Sequence, residues 1–368
     1  MTPRIAVVLG TRPEIIKLAP VVHALGPAAE LVFTAQHYDP ELSDVFFRSC
    51  GLPQPRVVLT GVGGLDRADQ IGTMLSQLTD LFRADRPDAV VVQGDTNSAN
   101  AGAQAGHYLG IPVVHVEAGL RSHDRGMPEE INRLVIGALA DVHCCATPAN
   151  AAAVLAAGAA PEQVHLTGNP IVEATRAAVP GPGQRAALLA GLDLPVGGFV
   201  LATVHRPENT DDPRRLHDLL QGLGQLAART VLPLHPRSRA ALTRYGIEPP
   251  HGVLLRPPVD HPTFLALATE AVLIVSDSGG VQEEVTVLGR PLVVVRTSTE
   301  RPESVEAGFA VLTEPAGIPA AAAHLLRPGW PEQLLRLPSP YGDGLAGERI
   351  AALARLAAVG RQPTALAG

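Results

Sequence analysis

Two doubly wound α/β domains are the fold that this 368-residue sequence predicts. Short β-branched runs alternate with longer helical patterns along the chain. The runs are continuously apolar, which is how strands buried on both faces of a parallel sheet read. The series also breaks at a Pro/Gly-rich linker and then restarts. At about 150 residues per domain, the length supports two cores.

The first series is "RIAVVLG" (4–10), "ELVFTA" (30–35), "AVVVQGD" (89–95), "IPVVHVE" (111–117) and "DVHCCAT" (141–147). Helical patterns at 14–25, 67–83, 97–108 and 128–140 lie between these strands. Pro20 sits inside the first helix, where it removes one intrahelical hydrogen bond and predicts a kink. The second series is "GFVLATVH" (198–205), "TVLPLH" (230–235), "GVLLRP" (252–257), "AVLIVSD" (271–277) and "RPLVVVR" (290–296). The linker is "AVPGPGQ" (178–184), so the break falls between about 167 and 185. We take residues 1–167 as the first domain and 168–346 as the second.

A net charge of −7 with no basic run argues against nucleic-acid or membrane-surface binding. No apolar run reaches the ~18 residues of a membrane span, and the chain enters a strand without a signal-peptide pattern. The three cysteines, Cys50, Cys144 and Cys145, lack metal-ligand spacing and fit reduced thiols in a cytoplasmic protein. Adjacent strand residues face opposite ways, so Cys144 and Cys145 read as core rather than as a disulfide or chelate. Lys17 is the only lysine in the chain.

Ligands of such sheets sit outside the carboxyl ends of the strands. Polar clusters follow strands at 10–17, 93–95, 115–121, 205–209, 235–237 and 277–284, as expected of the walls of one interdomain cleft. In "SDSGGVQEE" (276–284), Ser278, Gly279 and Gly280 open a helix after a strand. Two readings stand there: backbone amides cradling a phosphate, or a cap by Asp277 or Ser278 with glycines for the turn. His205 and Arg206, then His235 in "HPRS", add groups suited to an anion. Arg12 lies in the first loop. There is no Walker A sequence, and G-x-G-x-x-A at 222–227 falls inside a helical pattern, so a nicotinamide site has little support.

Asp95, Glu117 and the pair Glu129–Glu130 stand at strand ends or a helix start. Each alone reads equally as a helix cap. Together in one pocket they would repel, leaving acid and base forms side by side for proton transfer at carbon. Lys17 and Arg133 would moderate the repulsion. Glu14 and Lys17 stand three apart on one helical face, so a local ion pair is the other reading of Lys17.

With these residues assembled, the chain resembles the non-hydrolysing UDP-N-acetylglucosamine 2-epimerases. The matching stretches run in order from residue 10 to 350: "GTRPEIIKLAP", "QHYD", "VQGDTNSA", "HVEAGLRS", "PEEINR", "TGNP", "HRPENTD", "SDSGGVQEE", "GRPLVVVR", "TERPESVEAG" and "YGDGLAGERI". The resemblance implies two Rossmann-like domains in a GT-B-like arrangement about a central cleft. A C-terminal helix, residues 347–368 here, would return to the first domain. The implied reaction is reversible inversion at C2 of UDP-N-acetylglucosamine, giving UDP-N-acetylmannosamine. UDP leaves by anti elimination through 2-acetamidoglucal and then adds back. The resemblance calls for no metal or NAD cofactor, and it implies a homodimer.

Carried over by motif, Asp95, Glu117 and Glu129 are the acid–base candidates, with no assignment of which removes the proton. His205 joins the catalytic set and, with Arg12, Ser278 and Gly279, would hold the diphosphate. Gly280 and His235 complete that anion site. Glu284 would bind the ribose, Phe264 would lie beside uracil, and Lys17 and Arg133 would serve the sugar side. One departure stands out. Many family members bind a second UDP-N-acetylglucosamine as activator through arginines where this chain has Pro207 and Asp69. The expectation is an enzyme without that activation. A glycosyltransferase of the same architecture, a hydrolysing epimerase and a non-catalytic binding protein are the alternatives. A 2-acetamido or 2,3-diacetamido uronic acid sugar would use the same catalytic groups.

Overall fold

The computed structural model describes residues 2–36 and 46–360. It contains two parallel sheets with interleaved helices. The first has seven strands in the order β3-β2-β1-β4-β5-β6-β7. These are β1 Ile5–Leu9, β2 Ala29–Phe33, β3 Val57–Val58, β4 Ala89–Gln93, β5 Val113–Ala118, β6 Val142–Cys145 and β7 Val164–Leu166. The second has six strands in the order β10-β9-β8-β11-β12-β13. They are β8 Phe199–Thr203, β9 Arg229–Pro233, β10 Val253–Arg256, β11 Leu273–Ser276, β12 Leu292–Val295 and β13 Ala310–Thr313. Every pairing is parallel. Both units are therefore doubly wound and Rossmann-like, as the apolar runs predicted.

Strand order reverses between β1 and β4 in the first sheet and between β8 and β11 in the second. These are the switch points, where helices leave in opposite directions and open a crevice. Strand periodicity sorts the side chains into layers. Val7, Leu9, Val91, Val114 and Cys144 pack on one face of the first sheet, against Ile15, Leu18 and Val22 of helix Arg12–Leu25. Val8, Val32, Val90 and Val92 pack on the other, against Met74, Leu78 and Phe82 of helix Arg67–Ala84. Cys144 and Cys145 take opposite faces, all three cysteines are free, and burial pushes the Cys145 thiol up to about 12. The second sheet repeats the scheme, with Leu216, Leu219 and Ile318 on one face and Leu267, Val281 and Val285 on the other.

One compact unit runs to Ala174 and resumes at Tyr341; the other is Thr175–Pro340. The division falls later than the 167/168 boundary read from the sequence. Helix Ile171–Ala178 begins in the first unit, where Asn169 N–H donates to Tyr341 O and Gly347 N–H to Glu173 Oε1. The helix Ala346–Gly360 packs Ile350, Ala351 and Ala354 into the core beside helix Arg12–Leu25. Residues 361–368 of the C-terminal segment lie outside the described residues. Helix Arg12–Leu25 continues through Pro20. A Cβ on Gly347 would come within 2.9 Å of Pro20 Cβ, so only glycine permits this crossing. Gly222 and Gly224 lie in helix Pro213–Gly224, which disposes of the G-x-G spacing as a nucleotide loop. No helix among the described residues is long and apolar enough to cross a membrane.

Candidate active site

In the first unit the loops after β1, β4 and β5 carry the chemistry. β5 pairs with β6 through a register shift between Val116 and Ala118. At this bulge Glu117 takes φ +64°, a left-handed conformation uncommon for a non-glycine residue. Strain of that kind concentrates at functional positions. The twist sends the buried Glu117 carboxylate to Lys17 Nζ at 2.6 Å and Gln93 Nε2 at 2.8 Å. Lys17 thus reaches across the sheet edge to Glu117, while Glu14 accepts from Gly10 N–H and Thr96 Oγ1.

Asp95 stands beside Gly94, itself left-handed at φ +69°. Arg133 on helix Pro128–Leu139 donates to Asp95 Oδ2 through Nε at 2.9 Å and Nη2 at 2.5 Å. The Asp95 carbonyl accepts from Asn132 Nδ2 at 2.8 Å. His115 supports the same loop from below, since Nε2–H donates to Gly94 O at 2.9 Å and burial pushes the imidazole down to about 4.

The adjacent glutamates part company. Glu130 is buried and accepts from Ser122 N–H, His123 N–H and Arg133 Nη1. Burial opposes its ionisation, yet the Ser122 amide and Arg133 hold its carboxyl below the usual range. Glu129 has a side chain 45% exposed, 3.8 Å from Arg67 Nη2. Arg133 joins Asp95 to Glu130, Lys17 pairs with Glu117, and Glu129 faces Arg67. Sequence reasoning paired Glu130 with Glu129 but carried only Glu129 into the acid–base set, and it gave His115 no role of its own. Helical spacing held a clue to Glu130, because consecutive helical residues cannot share one face.

In the second unit the loop after β8 meets the turn after β11. Asp277 is fully buried and accepts from His205 N–H at 3.0 Å, Arg206 N–H at 2.9 Å and Asn209 Nδ2 at 3.1 Å. His205 Nδ1 lies 3.1 Å from Asp277 Oδ1. Burial opposes its charge, but the His205 contacts and these donors keep its carboxyl below the usual range. Asp277 is therefore committed to the β8 loop. Ser278 is the N-cap of helix Gly279–Leu288 but makes no side-chain cap bond. Of the two readings of this turn, the side-chain cap is the one the geometry removes. The amides of Gly279 and Gly280 open the helix, where an anion is favoured.

Buried ion pairs back this turn. Arg301 donates to Glu283 Oε1 at 2.8 Å and Glu300 Oε1 at 2.9 Å, and Arg296 Nη1 lies 2.6 Å from Glu300 Oε2. Burial opposes ionisation of Glu300, yet the two arginines hold its carboxyl at about 2. A Cβ on Gly279 would sit 2.7 Å from Arg301 Nη1, so a larger residue would have to displace that guanidinium from Glu283 and Glu300. The His205 and His235 rings are 5.4 Å apart, and His235 also caps helix Pro236–Tyr245. Glu284 is paired with His261 at 2.7 Å. Phe264, on the same helix as His261, packs half-buried on the core. Arg12 lies with its guanidinium 5.5 Å from the Phe46 ring centroid in the first unit. Of the "QHYD" stretch, residues 37–39 lie outside the described residues.

Residues 26–355 match the family model described as UDP-N-acetylglucosamine 2-epimerase. A UDP-N-acetylglucosamine 2-epimerase of Methanococcus maripaludis is 34% identical over 94% of this chain and 97% of its own. A UDP-2,3-diacetamido-2,3-dideoxy-D-glucuronate 2-epimerase of Pseudomonas aeruginosa is 36% identical over 84% of this chain and 88% of its own. The crystal structure of the Methanocaldococcus jannaschii UDP-GlcNAc 2-epimerase in complex with UDP-GlcNAc and UDP superposes with a TM-score of 0.83 at 34% identity. It covers 95% of this chain and 99% of that one. With the family model matched over most of the chain and a relative 34% identical over 94% of it, the chain belongs to the UDP-N-acetylglucosamine 2-epimerase family.

Proposed function

We propose that the protein is a non-hydrolysing epimerase that interconverts UDP-N-acetylglucosamine and UDP-N-acetylmannosamine. A carboxylate takes the C2 proton as the C1–O bond to UDP breaks on the opposite face. The electron pair of the C–H bond becomes the C1=C2 bond of 2-acetamidoglucal. UDP then re-forms the C1–O bond while a proton arrives at the other face of C2. Water is not consumed, and atoms balance between the two sugars.

The observation that carries this reading is the buried Lys17–Glu117 pair at a strained bulge of β5, with Asp95, held by Arg133, in the loop after the neighbouring strand β4. Proton transfer at carbon needs carboxylates fixed in position, and these are. Asp95, Glu117 and Glu129 are the acid–base groups of the proposal, with Lys17 and Arg133 on the sugar side. The amides at Gly279 and Gly280, with Ser278, His205, His235 and Arg12, take the diphosphate. Preorganised donors of this kind stabilise a leaving anion without reorganising at the moment of reaction. Glu284 takes the ribose and Phe264 the uracil. The proposal includes a cytoplasmic homodimer that uses no metal or nicotinamide cofactor.

Incubation with UDP-N-acetylglucosamine in D2O, followed by NMR, tests the reaction. The expected result is UDP-N-acetylmannosamine carrying deuterium at C2. Free N-acetylmannosamine would mean a hydrolysing enzyme, and turnover only with an added acceptor a glycosyltransferase. Binding without exchange would mean a non-catalytic protein. A second sugar has specific support in the Pseudomonas aeruginosa relative, so the diacetamido uronic acid nucleotide belongs in the same experiment. Faster exchange on that compound would reassign the substrate.

The proposal also includes turnover without a second nucleotide sugar as activator. Pro207 opens the short helix Pro207–Thr210, and Asp69 lies in the first turn of helix Arg67–Ala84. Neither position supplies a cation. Reaction started from pure UDP-N-acetylmannosamine should proceed without a lag. A strict requirement for added UDP-N-acetylglucosamine would overturn this part.

A further inference from the structure

Glu14 is a buried carboxylate to which the proposed chemistry gives no role. Its Oε2 accepts from Gly10 N–H at 3.0 Å, and its Oε1 accepts from Thr96 Oγ1 at 2.8 Å. These partners belong to different loops. Gly10 follows β1 and leads into the helix that carries Lys17. Thr96 follows Asp95 and caps the helix Asn97–Tyr108, accepting from Ala99 N–H at 2.9 Å. The carboxylate therefore spans the switch point between β1 and β4.

The Gly10 end of this bridge is held firmly. A Cβ there would lie 2.0 Å from Thr34 Oγ1 and 2.1 Å from Ser98 Oγ, so the backbone is pressed against both neighbours. At the other end, Gly94 in its left-handed turn precedes Asp95. A carboxylate that only capped its own helix would have no need to reach Thr96.

We propose that Glu14 is a positioning residue, which ties the Asp95 loop to the Lys17 helix and so sets the spacing of the acid–base groups. This inference rests on the epimerase reading. Burial pushes the Glu14 carboxyl up to about 7, against its hydrogen bonds from Thr96 and Gly10. Its protonated form can donate to Thr96 Oγ1 while still accepting from Gly10. A glutamine reproduces that arrangement, with Nε2 donating to Thr96 and Oε1 accepting from Gly10 N–H. An alanine removes both links.

The test compares Glu14→Ala, Glu14→Gln and the parent by steady-state kinetics and by amide hydrogen exchange of the peptide covering residues 93–99. In Glu14→Ala, kcat should fall by up to about 10²-fold, the scale of a 1 Å misplacement, with KM changed much less. Exchange in that peptide should accelerate. Glu14→Gln should restore both kcat and protection. Equal loss of kcat in Gln and Ala would overturn the proposal in favour of direct proton transfer by Glu14. Unchanged exchange in Glu14→Ala would overturn it whatever the activity. If the parent itself shows no C2 exchange, the epimerase reading falls, and the hydrogen-exchange arm still decides whether the bridge holds the loop.

Discussion

Lys17 Nζ and Glu117 Oε2 meet at 2.6 Å with both side chains at least nine-tenths buried, although the residues lie 100 positions apart. A buried pair of this kind costs desolvation on both sides, and losing one partner leaves an uncompensated charge. Lys17→Ala should lower stability by about 3–5 kcal/mol. Lys17→Arg places a planar fork where a compact ammonium fits, and kcat should fall about tenfold or more. Thermal unfolding and steady-state rates check both. A fully active Lys17→Arg enzyme would return the single lysine to an accident of composition.

The two adjacent glutamates should separate structure from chemistry. Glu130→Gln weakens a buried hub that holds Arg133 and the Ser122 loop, and should cost about 1.5–3 kcal/mol. Glu129 is half exposed, so Glu129→Gln should change stability by no more than about 0.5 kcal/mol. Its kcat should nevertheless fall by about 10²–10⁴-fold if it transfers a proton. Normal turnover in Glu129→Gln would remove it from the acid–base set.

Asp277 should act as the clamp of the second unit. Asp277→Asn removes the charge that receives His205 N–H, Arg206 N–H and Asn209, and should lower stability by about 1.5–3 kcal/mol at neutral pH. Its folded pKa is depressed, so its contribution is present above the unfolded value of 3.8 and is lost as pH falls below it. Denaturant titrations of parent and variant should therefore converge in acid. UDP affinity, read by calorimetry, should fall with the loss of the His205 position.

Glu14 and His115 should tilt stability in opposite directions. Glu14 has a folded pKa of about 7 against an ordinary 4.5, so the native state keeps its proton longer than the unfolded chain. Its contribution is present below the lower value and is lost as pH rises across that window, on the order of 3 kcal/mol. His115 has a folded pKa of about 4 against 6.5, so the unfolded chain gains a proton first and stability is lost as pH falls. In Glu14→Gln only the second slope remains. Stability should then climb with pH more steeply than in the parent between the ordinary pKa values of the two groups. Parallel profiles from chemical denaturation would refute this.

The central strands were legible because each is an apolar run flanked by loops, and their positions follow the runs closely. β3, β7 and β13 were not read. They are two to four residues long, and Val58 and Leu166 are exposed, so they lack the continuous apolar signal of a strand covered on both faces. The loops that carry Asp95, Glu117, His205 and Ser278 were legible by position, since the carboxyl edge of a parallel sheet follows from strand direction alone. The local ion pair between Glu14 and Lys17 was a reading that helical spacing allowed. The tertiary structure directs Lys17 to Glu117 and Glu14 to Thr96 instead.

The sequence by itself determined the ten strands that are continuous apolar runs, that both sheets are parallel, and which loops can bear chemistry. Those properties follow from side-chain patterns within a few residues of each other. The tertiary structure alone decided that Glu117 sits on a left-handed bulge, that Glu130 rather than Glu129 turns inward, and that Glu14 bridges two loops. Each of these depends on how strands far apart in the chain come into register, and no local pattern encodes the distance between two loops brought together by a sheet.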